Sequence, residues 1–182
     1  MQKRHIYLSG FMGAGKSKIG RQLARLMNCA FIDTDKIIES ENRRTIKEIF
    51  SAQGESAFRL LEEGVVQRLR YFTGAAVISL GGGALMSEDN RRAVRLSGWV
   101  VYIESAPQAI LQRVKHTQKR PLLNNLPDDT NTESALLQRI EELLAIRRPV
   151  YEQADLIFPR DNYEWPEAAQ LIHQRIKEKG WI

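Results

Sequence analysis

Short apolar runs alternate along the chain with longer stretches in which apolar positions recur three and four residues apart. The short runs are HIYLS (5–9), AFID (30–33), AVISL (76–80), WVVYIE (99–104) and DLIFP (155–159), and they predict five strands. The longer pattern, with its period near 3.6, predicts helices near 16–28, 35–52, 55–70, 88–96, 107–116, 133–148 and 165–179. Strands separated by helices rather than tight turns predict a parallel sheet covered on both faces. Ser105 and Pro107 signal the start of the helix after the fourth strand. Pro149, after Arg147 and Arg148, predicts the end of the helix before it. The stretch from Thr117 to Thr132, TQKRPLLNNLPDDTNT, is rich in Pro, Asn and Asp and reads as a long mobile loop.

The junction between the first strand and the first helix carries the most specific pattern. Residues 10–17, GFMGAGKS, satisfy G-x-x-x-x-G-K-[ST] and stand between a strand and a helix, as that motif requires. Glycines let the backbone turn so that N–H groups, here those of Gly13, Ala14 and Gly15, point at phosphate oxygens. The helix that follows adds the positive end of its dipole. Lys16 supplies a full charge for the β- and γ-phosphates, and the Ser17 hydroxyl is a ligand for Mg²⁺. Nucleotide binding follows. Many such loops carry a second hydroxyl residue at the next position, available to the α-phosphate. This chain has Lys18, whose ammonium either meets that phosphate or faces solvent.

Further candidates lie at the ends of the other strands and on the helices. Asp33 and Asp35 end the second strand, at the edge of the crevice where open α/β sheets bind ligands. Asp33 is placed to hold the water shell of a metal. Asp35 is placed to accept a hydrogen bond or a proton from an attacking hydroxyl, or to cap the next helix. Gly81, Gly82 and Gly83 end the third strand and leave room for a ligand against the sheet. Arg59, Arg120 and Arg147 carry guanidinium forks that match a carboxylate or phosphate.

Composition narrows the partners. The 182 residues fit one domain, 1–182, and 43% hydrophobic with 27% charged residues is ordinary for a folded, water-exposed chain. No apolar run is long enough to span a bilayer, and the basic start MQKRH lacks the apolar region of a secretory signal, so a cytoplasmic protein is expected. Cys29 is the single cysteine, which fits a reducing compartment and a small buried side chain. The net charge of +5 suits nucleic acid or small anions. The basic residues are scattered, which favours small anions and no nucleic-acid partner. His5, His116 and His173 are too far apart to suggest a metal cluster. With no heptad pattern, a monomer is expected.

Taken together, GFMGAGKS, DTD, FR..EE, GGG, RPLL and R.PVY occur in the order and spacing of the shikimate kinases, which the chain resembles from about residue 5 to 175. The resemblance implies a three-layer α/β/α P-loop kinase fold, similar to the nucleoside monophosphate kinases. It further implies a five-stranded parallel sheet in the order 2-3-1-4-5, a substrate-binding region near 34–62 and a lid near 113–128. The implied reaction moves the γ-phosphoryl group of ATP, with Mg²⁺, to the 3-hydroxyl of shikimate.

The same resemblance implies individual roles. Lys16 steadies the transferring group, Ser17 and Asp33 serve the metal, and Asp35 binds the acceptor hydroxyls as candidate base. Arg59 and Arg147 clamp the shikimate carboxylate beside Gly81, Gly82 and Gly83. Glu62 orients Arg59, and Phe50 and Phe58 pack near the ring. Arg120 reaches the phosphates from the lid, Arg113 lies against the adenine, and Arg160 lies near it. Arg148 competes with Arg147 for the clamp, with spacing favouring Arg147. A gluconate kinase is the nearest alternative, although it gives no reason for Arg59, Arg147 and the triple glycine to occur together.

Overall fold

The computed structural model describes residues 3–115 and 133–181. Among them, five strands form one sheet: β1 (His5–Ser9), β2 (Ala30–Asp33), β3 (Ala76–Ser79), β4 (Gly98–Glu104) and β5 (Leu156–Pro159). All neighbours are parallel and the order is β2-β3-β1-β4-β5. The helices are α1 (Lys16–Leu26), α2 (Thr34–Asn42), α3 (Ile46–Leu69), α4 (Glu88–Ser97), α5 (Pro107–Val114), α6 (Glu133–Tyr151) and α7 (Trp165–Glu178). The expected lid near 113–128 lies, from residue 116 on, outside the described residues, as do His116 and the expected loop 117–132.

Strand alternation divides the core. Ile6 and Leu8 of β1 face α1 and α7, meeting Ile19, Leu23, Ile172 and Ile176. Tyr7 faces the other way and joins Ile38, Phe58, Val65 and Val94, from α2, α3 and α4. A third cluster packs α5 and α6 around Phe11, Tyr102, Ile140 and Tyr151. β1 and β3 are buried at every residue, which is why they read as unbroken apolar runs. No helix among the described residues is long and apolar enough to cross a membrane.

Three boundaries differ from the sequence reading. The expected helix 35–52 breaks after Asn42: Arg43 takes a left-handed φ of 50°, and Thr45 restarts the chain as α3 through a capping box with Glu48. α3 then runs through Gly54, where φ 80° and ψ 175° kink it instead of ending it. Pro149 does not stop α6, which continues to Tyr151. A proline in the last turn removes one backbone bond near an end that is already losing them, and Tyr151 is anchored by burial in the third cluster.

His5, at the base of β1, is fully buried, and neither ring nitrogen has a hydrogen-bond partner among the described residues. Its ring lies edge-on to Tyr7 at 5.9 Å and tilted against Phe72 at 6.2 Å. Burial, and then the adjacent Arg4 charge, push its pKa below the ordinary 6.5. Well above pH 6.5 the ring is neutral in both folded and unfolded chains and contributes no pH dependence. As the pH falls below that value the unfolded chain takes the proton first, so stability declines toward the folded pKa. His5→Phe should flatten this part of a melting-temperature profile between about pH 7 and pH 5. An unchanged slope in the variant would assign the acid sensitivity elsewhere.

Candidate active site

The strand order reverses direction at β1, and the loops leaving the carboxyl ends of β1, β2 and β3 converge there. The first is the glycine loop. Gly15 caps α1 at φ 93°, a conformation that favours glycine, and α1 has neither a side-chain cap nor an acidic residue in its first turn. The positive end of the α1 dipole is therefore left for an anion. Lys16 is buried and donates from Nζ to the carbonyls of Gly10 at 2.8 Å and Phe11 at 3.1 Å, folded back over the loop it belongs to.

The second loop is DTD. Asp33, not Asp35, caps α2: its Oδ1 accepts from the backbone N–H groups of Asp35 at 3.2 Å and Lys36 at 3.4 Å. Its Oδ2 accepts from the Ser17 hydroxyl at 2.7 Å. One carboxylate thus fixes the start of α2 and ties it to the phosphate loop. The cap leaves Asp35 one position into the helix, where it lines the cleft. Thr34, between them, is fully buried; its hydroxyl donates to the Ser79 carbonyl at 3.2 Å and accepts from the Gly81 N–H at 3.0 Å. It stitches the second loop to the third, a role the sequence reading missed.

The third loop, Gly81–Gly83, is enclosed by charged side chains. A Cβ on Gly81 would meet Glu62 Oε1 at 2.2 Å and Asp35 Oδ1 at 2.9 Å, and one on Gly83 would meet both terminal nitrogens of Arg59 at 2.6 Å. Only hydrogen leaves room for these groups at the turn. Arg59 donates from Nη1 to Glu62 at 2.6 Å and from Nη2 to Glu55 at 2.9 Å, and lies over the Phe58 ring. Phe58 in turn packs on Phe50 at 4.8 Å.

Arg147 is 5% exposed, donates from Nη1 to the Gly82 carbonyl at 3.4 Å and lies over Phe11, whereas Arg148 is exposed. The Tyr151 hydroxyl, buried one turn further along α6, donates to the same Gly82 carbonyl. Tyr151 is another residue the sequence reading passed over, although it stands within the R.PVY segment. Burial pushes its pKa up to about 12, so it stays a donor at any physiological pH.

Glu62 is 1% exposed at the centre of this cluster. Burial raises its pKa and the neighbouring Asp35 charge adds to the rise, while the charges of Arg59 and Arg147 and the Arg59 hydrogen bond oppose it. Its Oε1 has no hydrogen-bond partner among the described residues.

A cleft of about 540 Å³ runs from Lys16, Ser17 and Asp35 to Arg113, Arg160 and Trp165, with Gly13, Gly15, Lys18 and Gly82 along its walls. At the far end Arg113 donates to Ser105 at 3.0 Å and to Asp161 at 2.8 Å. Burial of Asp161 works toward a higher pKa, but bonds from Ala106, Arg113 and Ser105, with the Arg113 charge, hold it below the usual value. Ala14 is buried in the core beneath the loop. Arg120 lies outside the described residues.

Ser17 and Asp33 offer an adjacent hydroxyl and carboxylate, hard oxygen donors that fit Mg²⁺, which keeps several waters and takes the rest of its ligands from phosphates. Among the described residues no group of three or more His, Cys, Asp or Glu side chains is arranged to hold a metal ion. The protein donors therefore suit a metal that arrives with a nucleotide.

The family model described as shikimate kinase matches residues 12–177. The chain belongs to the shikimate kinase family. It is 42% identical over 176 residues to the shikimate kinase of Histophilus somni strain 2336, covering 96% of this chain and 94% of that one. The same identity holds over 161 residues with the shikimate kinase of Haemophilus influenzae strain PittEE, covering 88% and 85%. Among solved structures, the shikimate kinase of Acinetobacter baumannii in complex with shikimate superposes with a TM-score of 0.89 at 35% identity, over 97% of this chain and 94% of that one. The five-stranded order and the phosphate loop described above are those of an ATP-dependent kinase of this family.

Proposed function

We propose that the chain transfers the γ-phosphoryl group of MgATP to the 3-hydroxyl of shikimate, giving shikimate 3-phosphate and ADP. One observation carries the acceptor assignment. Arg59 and Arg147, from two different helices, converge on the triple-glycine turn beside Asp35, at the end of the cleft next to Lys16. Two guanidinium groups there suit an acceptor carboxylate, and a carboxylate between them and the phosphate loop suits an acceptor hydroxyl. A gluconate kinase would have no use for that turn holding both arginines.

Phosphoryl transfer depends mainly on positioning and charge neutralisation. Arg59 and Arg147 fix the acceptor carboxylate, and Glu62 and Glu55 hold Arg59 in place. Asp35 accepts the hydrogen bond of the attacking 3-hydroxyl and then its proton. Lys16 exchanges its loop carbonyls for the β- and γ-oxygens, and Ser17 with Asp33 would hold Mg²⁺ at the nucleotide. When bound, that ion would neutralise charge that develops on the phosphate oxygens. Gly13, Ala14, Gly15 and Lys18 line the polyphosphate, Arg113 and Arg160 the adenosine, and Arg120 comes from the lid. The enzyme works as a monomer in the cytoplasm on small molecules, a reading the single cysteine and the scattered basic residues favour.

Phosphorus NMR of a reaction containing MgATP and shikimate should show one new phosphomonoester, on the C3 oxygen, growing in step with ADP. A monoester on another hydroxyl would overturn the assignment. Gly83→Ala should act on the acceptor alone, because its Cβ displaces the Arg59 guanidinium. A charge-assisted bond is worth about 1.5–3 kcal/mol, so the shikimate KM should rise about tenfold or more. The KM for MgATP should stay unchanged, and steady-state kinetics in both substrates separates the two.

A further inference from the structure

Away from the phosphate loop, a second cavity of about 370 Å³ lies between α3 and α4, within the size range of small-molecule sites. α3 lines it with Glu63, Gln67 and, at its cap, Arg70; α4 lines it with Asp89, Arg92 and Leu96. Spacings of three and four put each set on one helix face. The two helices run side by side in the same direction. The hydroxyl of Ser87, the cap of α4, donates to Glu63 at 3.2 Å, and Gln67 donates to the Asp89 carbonyl at 3.0 Å. On each helix the carboxylate comes first and the arginine after it, so the cavity has an acidic end and a basic end.

These charges line one cavity without pairing across it. Among the described residues no ion pair joins Glu63 or Asp89 to Arg70 or Arg92. The Arg70 guanidinium is held over the Tyr71 ring, 4.5 Å from its centre, and its buried Nε has no hydrogen-bond partner among the described residues. A positioned guanidinium with donors to spare suits a carboxylate, and the two carboxylates suit an ammonium group. Asp89 and Arg92 are three residues apart, about 4.5 Å along α4, a distance that one α-amino acid bridges. Leu96, half exposed, offers apolar surface beside them. We propose that this cavity binds a free α-amino acid with an apolar side chain, its carboxylate on Arg70 and Arg92 and its ammonium on Glu63 and Asp89. The inference stands apart from the kinase reading, in which none of these residues takes part.

The test titrates the whole chain with L-leucine, with isocaproate, which lacks the ammonium group, and with isoamylamine, which lacks the carboxylate, following backbone amide NMR signals. L-Leucine should shift signals of α3 and α4 around the cavity and saturate. Each analogue with a single charge should bind about tenfold more weakly or worse, the loss expected for one charge-assisted bond. Glycine should also bind more weakly, since it brings no apolar surface to Leu96. Arg70→Met and Glu63→Gln should each weaken L-leucine binding by about tenfold or more. Both variants should keep kcat and the two KM values, which shows that they are folded. Saturating MgADP and shikimate should leave the L-leucine affinity unchanged. No saturable shift with L-leucine would overturn the proposal. Equal binding of isocaproate would overturn it as well, making the cavity a plain anion site, and so would competition by shikimate, which would put the amino acid in the main cleft.

Discussion

Asp35→Asn should leave a folded chain that binds MgADP normally and turns over about 10²- to 10⁴-fold more slowly, the span attributed to a positioned proton acceptor. The substitution keeps size and hydrogen-bonding capacity. It also keeps the backbone bond from residue 35 to Asp33, so α2 and its tie to Ser17 remain. What disappears is the negative charge facing the cleft and the ability to take a proton. The Asp35 charge also helps to raise the pKa of Glu62, so its removal should ease Glu62 toward the ordinary carboxylate value. Thermal melting, MgADP calorimetry and kcat on one preparation check the three parts. Turnover within about threefold of wild type would remove Asp35 from the proton path, since general-base contributions are far larger than that.

Arg147→Met should produce the largest change in acceptor affinity. Arg147 is nearly buried, lies over Phe11 and reaches the Gly82 carbonyl, and methionine retains much of its stem. Loss of one side of a buried, hydrogen-bonded charge pair costs about 2–5 kcal/mol, which puts the rise in shikimate KM at about 30-fold or more. The MgATP KM should be nearly unchanged. Arg148→Met is the control, because that side chain is exposed and its loss should change either KM by less than about twofold. Equal effects of the two substitutions would mean that net positive charge, not a directed clamp, draws in the acceptor.

The sheet was legible because its central strands are buried on both faces, so apolar runs mark them directly. Local backbone events were harder to read. Arg43 adopts a positive φ without being glycine, so only the Thr45 to Glu48 spacing marks the break between α2 and α3. Pro149 misled because a proline stops a helix interior but is tolerated in a last turn whose neighbour, Tyr151, is locked by packing.

Within the site, charge was easier to find than support. Asp33, Asp35, Arg59 and Arg147 announce themselves as charged residues in short motifs. Thr34 reads as a spacer until its hydroxyl is seen joining two strand ends. Helical phase separates Arg147 from Arg148: Ile140, Leu143, Leu144, Arg147 and Tyr151 follow one another at intervals of one, three or four and are all buried. Trp165 carries no such signal, because its place in the cleft comes from where β5 delivers the chain and not from any periodicity.

The acceptor is the central claim, and coupled ADP release with MgATP tests it most directly, with shikimate, gluconate and quinate supplied in parallel. The structure predicts strong turnover with shikimate and little with either of the others. Turnover on gluconate with none on shikimate would contradict the clamp formed by Arg59 and Arg147.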